Sequence, residues 1–362
     1  MKKVLKVFAV LIAICAALLA ALVAFLQVNE YKPAQEEETL PEGMGEKTVR
    51  EGDTLRVMTF NIGYGALDQS QDFFMDGGKN VNGESRQKVL DNMQGIADII
   101  YGNKADVTFL QEVDRDSKRS FSIDEAEYLM EAYPGCSMTY AANFRCAYIP
   151  YPFPAIGKVE GGLVTLNQLT VSEAERISLP TSFSWPVRLC QLKRCLLVQR
   201  VPVEDSQKEL VLVNLHLEAY DDGEGKEAQT QILFDFLEEE YEKGNYVIAG
   251  GDFNQMFDDI GLAEYPLTDV SHFQPGSIDT SSLGEGWAFV NDTSVPTSRL
   301  LNEPYDPQSE NTQYYMIDGL ILSPNVTMEQ AETLDEGFEY ADHNPVMLEV
   351  ALKEGENQED RS

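Results

Sequence analysis

The chain opens on an unbroken apolar run, Val7 to Leu26, preceded by Lys2, Lys3 and Lys6 and followed by Glu30, Glu36, Glu37 and Glu38. As a helix rising about 1.5 Å per residue, the run spans roughly 30 Å, the thickness of a bilayer's hydrocarbon core. It has no amphipathic period, which argues against a buried helix of a soluble domain. Residues 1–28 therefore read as an N-terminal membrane anchor or signal peptide. The run exceeds the about 7 to 15 apolar residues usual in a signal peptide, and no small-x-small site follows, so an uncleaved anchor is favoured. Lysines before the run and glutamates after it put the short amino terminus in the cytoplasm and everything that follows outside, membrane-anchored, or secreted if the segment is cleaved.

Residues 29–53 combine Pro33, Pro41, Gly43 and Gly45 with many glutamates and little apolar content, which predicts a flexible acidic linker. From residue 54 the pattern becomes that of a folded domain. Residues 56–62 alternate and stop before Gly63 and Gly65, a strand that delivers Asn61 to a loop. A helix follows over 86–101, with Val89, Leu90, Met93, Ile96, Ala97 and Ile100 at helical spacing, then a strand over 106–110 that ends in Gln111-Glu112. The stretch 117–200 is less regular, with strands expected at 161–166 and 194–201 around a proline-aromatic loop at 148–154. Beyond it come a strand closing at His216, a helix over 227–241, a short buried strand over 246–249 stopping at Gly250-Gly251-Asp252, and strands over 316–322 and 345–352. Residues 54–352 read as one α/β catalytic domain and 353–362 as a charged, frayed tail.

Charge narrows the partners. With 27 Lys and Arg against 61 Asp and Glu, the formal net charge is −34. Such a surface repels polyanions unless a local basic patch or a bound cation reverses the field, which counts against a protein that tracks along nucleic acid but does not exclude a nuclease. Outside the apolar run stand Cys136, Cys146, Cys190 and Cys195. In an oxidising compartment Cys136–Cys146 and Cys190–Cys195 are the simplest pairs, and free buried thiols are the alternative.

Candidate chemistry collects where strands end: Asn61, Glu112, Asn214, His216, Asp252, Asn254, Asp318, Asp342 and His343. The chain holds three histidines, and two of them close strand-like runs, which gives each more weight than a histidine usually has. Carboxylates and amides without cysteine point to a hard cation, Mg2+ first and Mn2+ or Ca2+ next, with Glu112 as chief ligand and Asn61 beside it. Arg194 is a candidate phosphate contact or an ordinary exposed arginine. The loop Asp221-Asp222-Gly223-Glu224 lacks EF-hand spacing and reads as a solvated turn rather than a Ca2+ site. Phe73-Phe74-Met75-Asp76-Gly77-Gly78 reads as an insertion near the site that shapes a pocket, makes a membrane-facing rim or packs on the domain.

Phe60-Asn61-Ile62, Leu110-Gln111-Glu112-Val113, Asn214-Leu215-His216, Gly250-Gly251-Asp252-Phe253-Asn254, Ile317-Asp318 and Ala341-Asp342-His343 occur in this order. In this the chain resembles the endonuclease/exonuclease/phosphatase family over residues 55 to 352, the DNase I-like and sphingomyelinase-like metal-dependent phosphoesterases. The resemblance implies a four-layer α/β sandwich, two packed mixed β-sheets flanked by helices. It also implies in-line attack of water on phosphorus. Carried over by motif, Asn61, Glu112 and Asp342 are metal ligands, and His343, oriented by Asp318, is general base or orients the water. Asp252 and Asn254 position the nucleophile, and His216 hydrogen-bonds the phosphate or protonates the leaving oxygen. Asn214 and Arg194 are the candidate substrate-binding residues. Glu160 is the candidate support for His216, by analogy with the deoxyribonuclease branch.

The expectation is thus a membrane-anchored, extracytoplasmic, monomeric phosphoesterase that hydrolyses a phosphodiester of nuclease type. A lipid phosphodiesterase of sphingomyelinase or phosphoinositide-phosphatase type, acting on a phospholipid head group, is the alternative. A non-catalytic binding module is the third reading; it predicts degraded catalytic positions, and here they are intact.

Overall fold

Strand Thr54–Asn61 sits in the middle of a mixed seven-stranded sheet, and from Val57 to Asn61 it is buried on both faces. The sheet runs in the order Val326–Thr333, Val346–Leu352, Thr54–Asn61, Val107–Asp114, Gly157–Asn167, Ser137–Ile149, Glu42–Gly43. A second seven-stranded sheet runs Glu36–Glu38, Glu173–Ser178, Cys195–Pro202, Glu209–His216, Tyr246–Asp252, Asp318–Leu322, Ala288–Val290. This computed structural model describes residues 1–355 except 134, 222, 259, 269, 270, 310 and 311. Each sheet holds a parallel pair joined by a crossover helix: Arg86–Asn103 links Thr54–Asn61 to Val107–Asp114, and Glu224–Glu242 links Glu209–His216 to Tyr246–Asp252.

Period-two alternation sorts the side chains into layers. Val57 and Phe109 of the first sheet meet Leu212, Ile248 and Leu320 of the second in an inner core. Their neighbours Met58, Phe60 and Leu110 point outward, against Met93, Ile96 and Ile100 of helix Arg86–Asn103. On the opposite outside, Leu233, Phe234 and Leu237 of helix Glu224–Glu242 cover Val211, Val213 and Val247. The result is the expected four-layer α/β sandwich. Caps set the helix starts. Ser85 accepts from Lys88 N at 3.1 Å, and Asp221 accepts from Lys226 N at 3.1 Å. Gly223 is the cap of that helix, and Asp221 of the acidic loop takes up one of its free first-turn amides from two residues earlier, while Asp222 lies outside the described residues.

The linker differs from its expectation. Glu36–Glu38 adds an edge strand beside Glu173–Ser178, Glu42–Gly43 pairs with Met138 and Ser137, and Val49 is fully buried against Leu169 and Val203. Backbone pairing at two sheet edges holds an acidic segment with almost no apolar side chains of its own, a contribution that hydrophobic patterning does not register. The irregular middle holds the longest strand, Ser137–Ile149, and the helix Glu125–Ala132. Lys353 continues from the last strand, and its amide donates to Asn325 O at 2.9 Å, while tail residues 356–362 lie outside the described residues.

The helix Lys2–Val28 is long and apolar enough to cross a membrane. Its last turns dock on the sandwich. Leu22, Val23 and Leu26 pack with Cys146, Ile149, Val159 and Leu189, Arg188 and Lys193 reach Glu30 at 3.3 and 3.8 Å, and Trp185 Nε1 donates to Gln27 Oε1 at 3.0 Å.

Neither expected cysteine pair is in contact. Cys136 and Cys146 flank most of one extended strand, about 33 Å apart at about 3.3 Å per residue, far beyond disulfide reach. Cys190 lies in the 3-10 turn Val187–Cys190, while Cys195 is buried among Ala141, Leu163 and Leu197. The thiols that meet are Cys146 and Cys190, whose mutual hydrogen bond pulls the Cys146 thiol down to about 7. Incubation with oxidised glutathione is expected to link Cys146 to Cys190 in peptide mass maps. A Cys136–Cys146 or Cys190–Cys195 link would contradict this arrangement.

Candidate active site

Sheet register builds one half of the site. Asp252 lies opposite His216 on its parallel neighbour and opposite Asp318 on its antiparallel neighbour, so the three stand in a row across strands about 4.8 Å apart. His343 comes from just before the last strand of the other sheet and bridges to Ser298. Its Nδ1 lies 2.8 Å from Asp318 Oδ2, and its Nε2 lies 3.3 Å from Ser298 Oγ and 4.0 Å from Asp252 Oδ2. The His216 Nε2 is 3.4 Å from the same Asp252 oxygen.

The first sheet supplies the other half. Between Leu110 and Val113 the register with Gly157–Asn167 slips, and Glu112 adopts a left-handed φ of +54°. Bulges of this kind re-aim a side chain at the end of a ladder. The slip turns Glu112 into the cavity that also receives Asp342, Asp252, His216 and His343. Gly63 makes room there. Its φ is +52°, and a Cβ would stand 2.8 Å from Asp342 Oδ1.

Burial dominates the electrostatics. It pushes the Asp342 carboxyl up to about 7, with Glu112 adding to the rise and His343 and Arg299 opposing it. Burial, then Asp318, also takes Asp252 to about 7. Burial alone would lower His343, but Asp318 and Asp342 outweigh it and push the imidazole up to about 10. His216 goes the other way even with Asp252 Oδ2 3.4 Å from its Nε2: burial, with Arg194 and His343 beside it, holds it well below the usual histidine range.

These groups fit a divalent cation in one place. Asp342 Oδ1 is buried without a hydrogen-bond partner, and its carboxylate repels that of Glu112, an arrangement that a hard cation would relieve. Asp252, Asp318 and His343 also bring ligand atoms within 4.8 Å of one another. That trio is the weaker candidate, because Asp318 and His343 already spend their facing atoms on each other.

Asn61 stands between the two halves. Its Oδ1 accepts from Gly63 N at 3.1 Å, and its Nδ2 donates to Asp252 at 3.0 Å and Glu112 at 3.3 Å, so its amide holds two carboxylates in place. Asn214 is not a cavity residue. It is fully buried, donating to Val164 O at 2.8 Å and Leu110 O at 3.1 Å and accepting from Gln111 Nε2 at 2.8 Å. Asn254 lines the cavity with Nδ2 on Leu217 O at 3.0 Å, and its amide N–H donates to Asp252 Oδ1 at 2.8 Å. Arg194 also lines it, buried rather than exposed, with NH1 donating to His216 O at 3.1 Å. Glu160 faces Arg145 at 3.4 Å, not His216, whose Nδ1 is buried without a partner.

Sequence reasoning missed Arg119, Arg299 and Ser298, all of which line the cavity. Arg119 is held by Asp114 at 2.9 Å through two bonds and lies 3.6 Å over the Tyr64 ring. Arg299 is held by the carbonyls of Asp68 and Gln71 at 3.0 and 3.3 Å. Arg119 lies in the short 3-10 turn Lys118–Ser120 and Ser298 and Arg299 in a two-residue strand, where no apolar period marks a residue. With Arg194, the two arginines make a local basic lining inside an acidic molecule.

No curated protein sequence matches the chain. Among solved structures it is 18% identical to an endonuclease/exonuclease/phosphatase from Beutenbergia cavernae DSM 12333, with a TM-score of 0.58 over 83% of this chain and 72% of that one. D. rerio TDP2 complexed with single strand DNA product is 17% identical, TM-score 0.50, over 82% and 99% of the two chains. The human Nocturnin catalytic domain with bound sulfate anion is 16% identical, TM-score 0.50, over 85% and 96%. These likenesses carry the fold. The family model matches residues 58–343, from the strand that bears Asn61 to the last histidine, and the chain belongs to the Endonuclease/Exonuclease/phosphatase family.

Proposed function

We propose that the protein is a membrane-anchored phosphodiesterase that uses a divalent cation and attacks phosphorus in line with water. One observation carries the reading: a single cavity holds both the facing carboxylates Glu112 and Asp342 and an imidazole oriented by a buried aspartate. Glu112 and Asp342 would hold the cation, Mg2+ by the hardness of the donors, with Mn2+ or Ca2+ as alternatives. When bound, it supplies Lewis-acid charge to a phosphate oxygen.

The chain's own groups do the rest. Asp318 accepts from His343 Nδ1 and so leaves Nε2 facing Asp252 and the space where water would stand. Because Asp252, Asp318 and His343 interact strongly, water's proton is assigned to the His343–Asp252 pair rather than to either residue alone. His216, neutral near pH 7, serves as a hydrogen-bond donor to a phosphate oxygen rather than as an imidazolium acid. Arg194 fixes the His216 backbone and, with Arg119 and Arg299, offsets the negative charge of the bound diester.

Lysines lead the apolar helix and glutamates follow it, which supports a catalytic domain outside the cytoplasm. A nucleic-acid diester is a second reading, favoured by the likeness to a TDP2 structure bound to single strand DNA product. The net charge of −34 opposes it.

His343→Ala and Glu112→Gln are each expected to lower kcat on bis(p-nitrophenyl) phosphate by about 100-fold or more with unchanged circular dichroism; full activity in either removes the assigned role. EDTA is expected to abolish turnover and added Mg2+ or Mn2+ to restore it, whereas activity that survives exhaustive chelation rules the cation out. Protease added to intact cells should release the catalytic domain. Protection until lysis would reverse the orientation.

A further inference from the structure

The catalytic groups do not open onto a flat polar surface. They line a cavity of about 680 Å³ whose walls are mostly apolar. Tyr64, Phe73, Phe74, Phe144 and Ile156 line the same cavity. So does the apolar amino-terminal helix, through Leu19, Leu22, Val23 and Leu26. Exposed apolar side chains mark its mouth: Tyr151 and Val187 line it, and Phe153 and Trp185 lie within two residues of them in the chain. Phe153 is fully exposed, and Tyr151, Trp185 and Val187 are each more than half exposed. Tyr151 packs edge-on to Phe74 at 5.9 Å, and Trp185 is tied to Gln27 in the helix's last turn. Tryptophan and tyrosine gather where a protein meets the membrane–water interface. The mouth therefore faces the bilayer from which the helix emerges.

We propose that the substrate is a membrane lipid whose phosphate is a diester, drawn from that bilayer with its hydrocarbon chain along the apolar wall and its phosphate among Glu112, His216, Asp252 and His343. The proposal rests on the phosphodiesterase reading above and names its substrate class. Continuity of wall and site decides for this occupant. A polynucleotide would leave the apolar wall unfilled and would approach an acidic surface beside an anionic membrane, while a hydrocarbon chain fills it and needs no basic track. In the reaction, water's oxygen bonds to phosphorus as one phosphorus–oxygen ester bond breaks. Water's proton passes to the His343–Asp252 pair, and the leaving alcohol oxygen is protonated from solvent.

The test uses the full chain in nanodiscs, loaded with Mg2+, and a series of p-nitrophenyl alkyl phosphates from methyl to octyl, with the hexadecyl ester embedded in the same discs and a single-stranded oligonucleotide alongside. Each methylene buried in the cavity is expected to raise kcat/KM by about fourfold over the first several carbons. The hexadecyl ester should be hydrolysed in the disc. Leu22→Ser and Phe74→Ser should each cut the octyl-to-methyl ratio of kcat/KM by tenfold or more. A series flat in chain length, or an oligonucleotide cleaved with higher kcat/KM than the octyl diester, overturns the lipid assignment and leaves the phosphodiesterase reading standing. Hydrolysis of the octyl but not the hexadecyl ester overturns the membrane as the source. Failure to hydrolyse any ester of the series sinks the phosphodiesterase reading itself.

Discussion

A buried hydrogen bond between two side-chain amides sets the geometry on which the site depends. Gln111 Nε2 donates to Asn214 Oδ1 at 2.8 Å across the gap between the sheets, while Asn214 Nδ2 donates back to the carbonyls of Leu110 and Val164. Glu112 is the next residue after Gln111, and His216 follows Asn214 by two. The two halves of the site are thus pinned immediately below the level at which their functional groups emerge. Neither amide has access to water, so loss of one would leave its partner's polar atoms unsatisfied in the core, which costs about 1 to 3 kcal/mol. The seam continues away from the site through Asn167, Gln199 and Thr139. Polar ties of this kind select one register between apolar faces that would otherwise slide.

Charge and burial work together above that seam. The molecule as a whole is strongly acidic, yet the cavity is lined by Arg119, Arg194 and Arg299, each fastened by carboxylate or carbonyl partners. An anion that reaches the cavity meets fixed positive groups at low dielectric, where they act more strongly than at the surface. Asp252 and Asp342 sit among them with their carboxyls pushed up mainly by burial, and Asp318 is hydrogen-bonded to His343. The apolar wall beyond keeps water out of the same space. The amino-terminal helix completes that wall through Leu19, Leu22, Val23 and Leu26, so it is part of the cavity.

The candidate site residues were legible because they sit at the ends of strands whose pattern is plain: Asn61, His216 and Asp252 close runs that read as buried β-structure, and Asp318 opens one. Their roles were less legible. Asn61 and Asn214 carry the same side chain at equivalent strand ends, and one spans two carboxylates at the site while the other ties the sheets. Only the neighbouring strand in space tells them apart. Residues 29–53 gave no apolar signal because they are held by backbone pairing at sheet edges, to which side-chain pattern is blind. Cys136 and Cys146 are far apart because an extended strand runs between them, whereas Cys146 and Cys190, distant in the sequence, meet.

What the sequence determined by itself was the list of parts: a span of apolar residues long enough for a bilayer, an alternation of strands and helices that must build layered sheets, and hard-ligand motifs at the strand ends. These follow from periods of two and 3.6 and from side-chain chemistry, which are local properties. Tertiary structure alone decided which parts meet. The parallel and antiparallel registers aligned His216, Asp252 and Asp318, a bulge turned Glu112 toward Asp342, and the docking of the amino-terminal helix enclosed an apolar cavity beside them. Such contacts depend on strand order and register between segments distant in the sequence, and no local pattern encodes which of them meet.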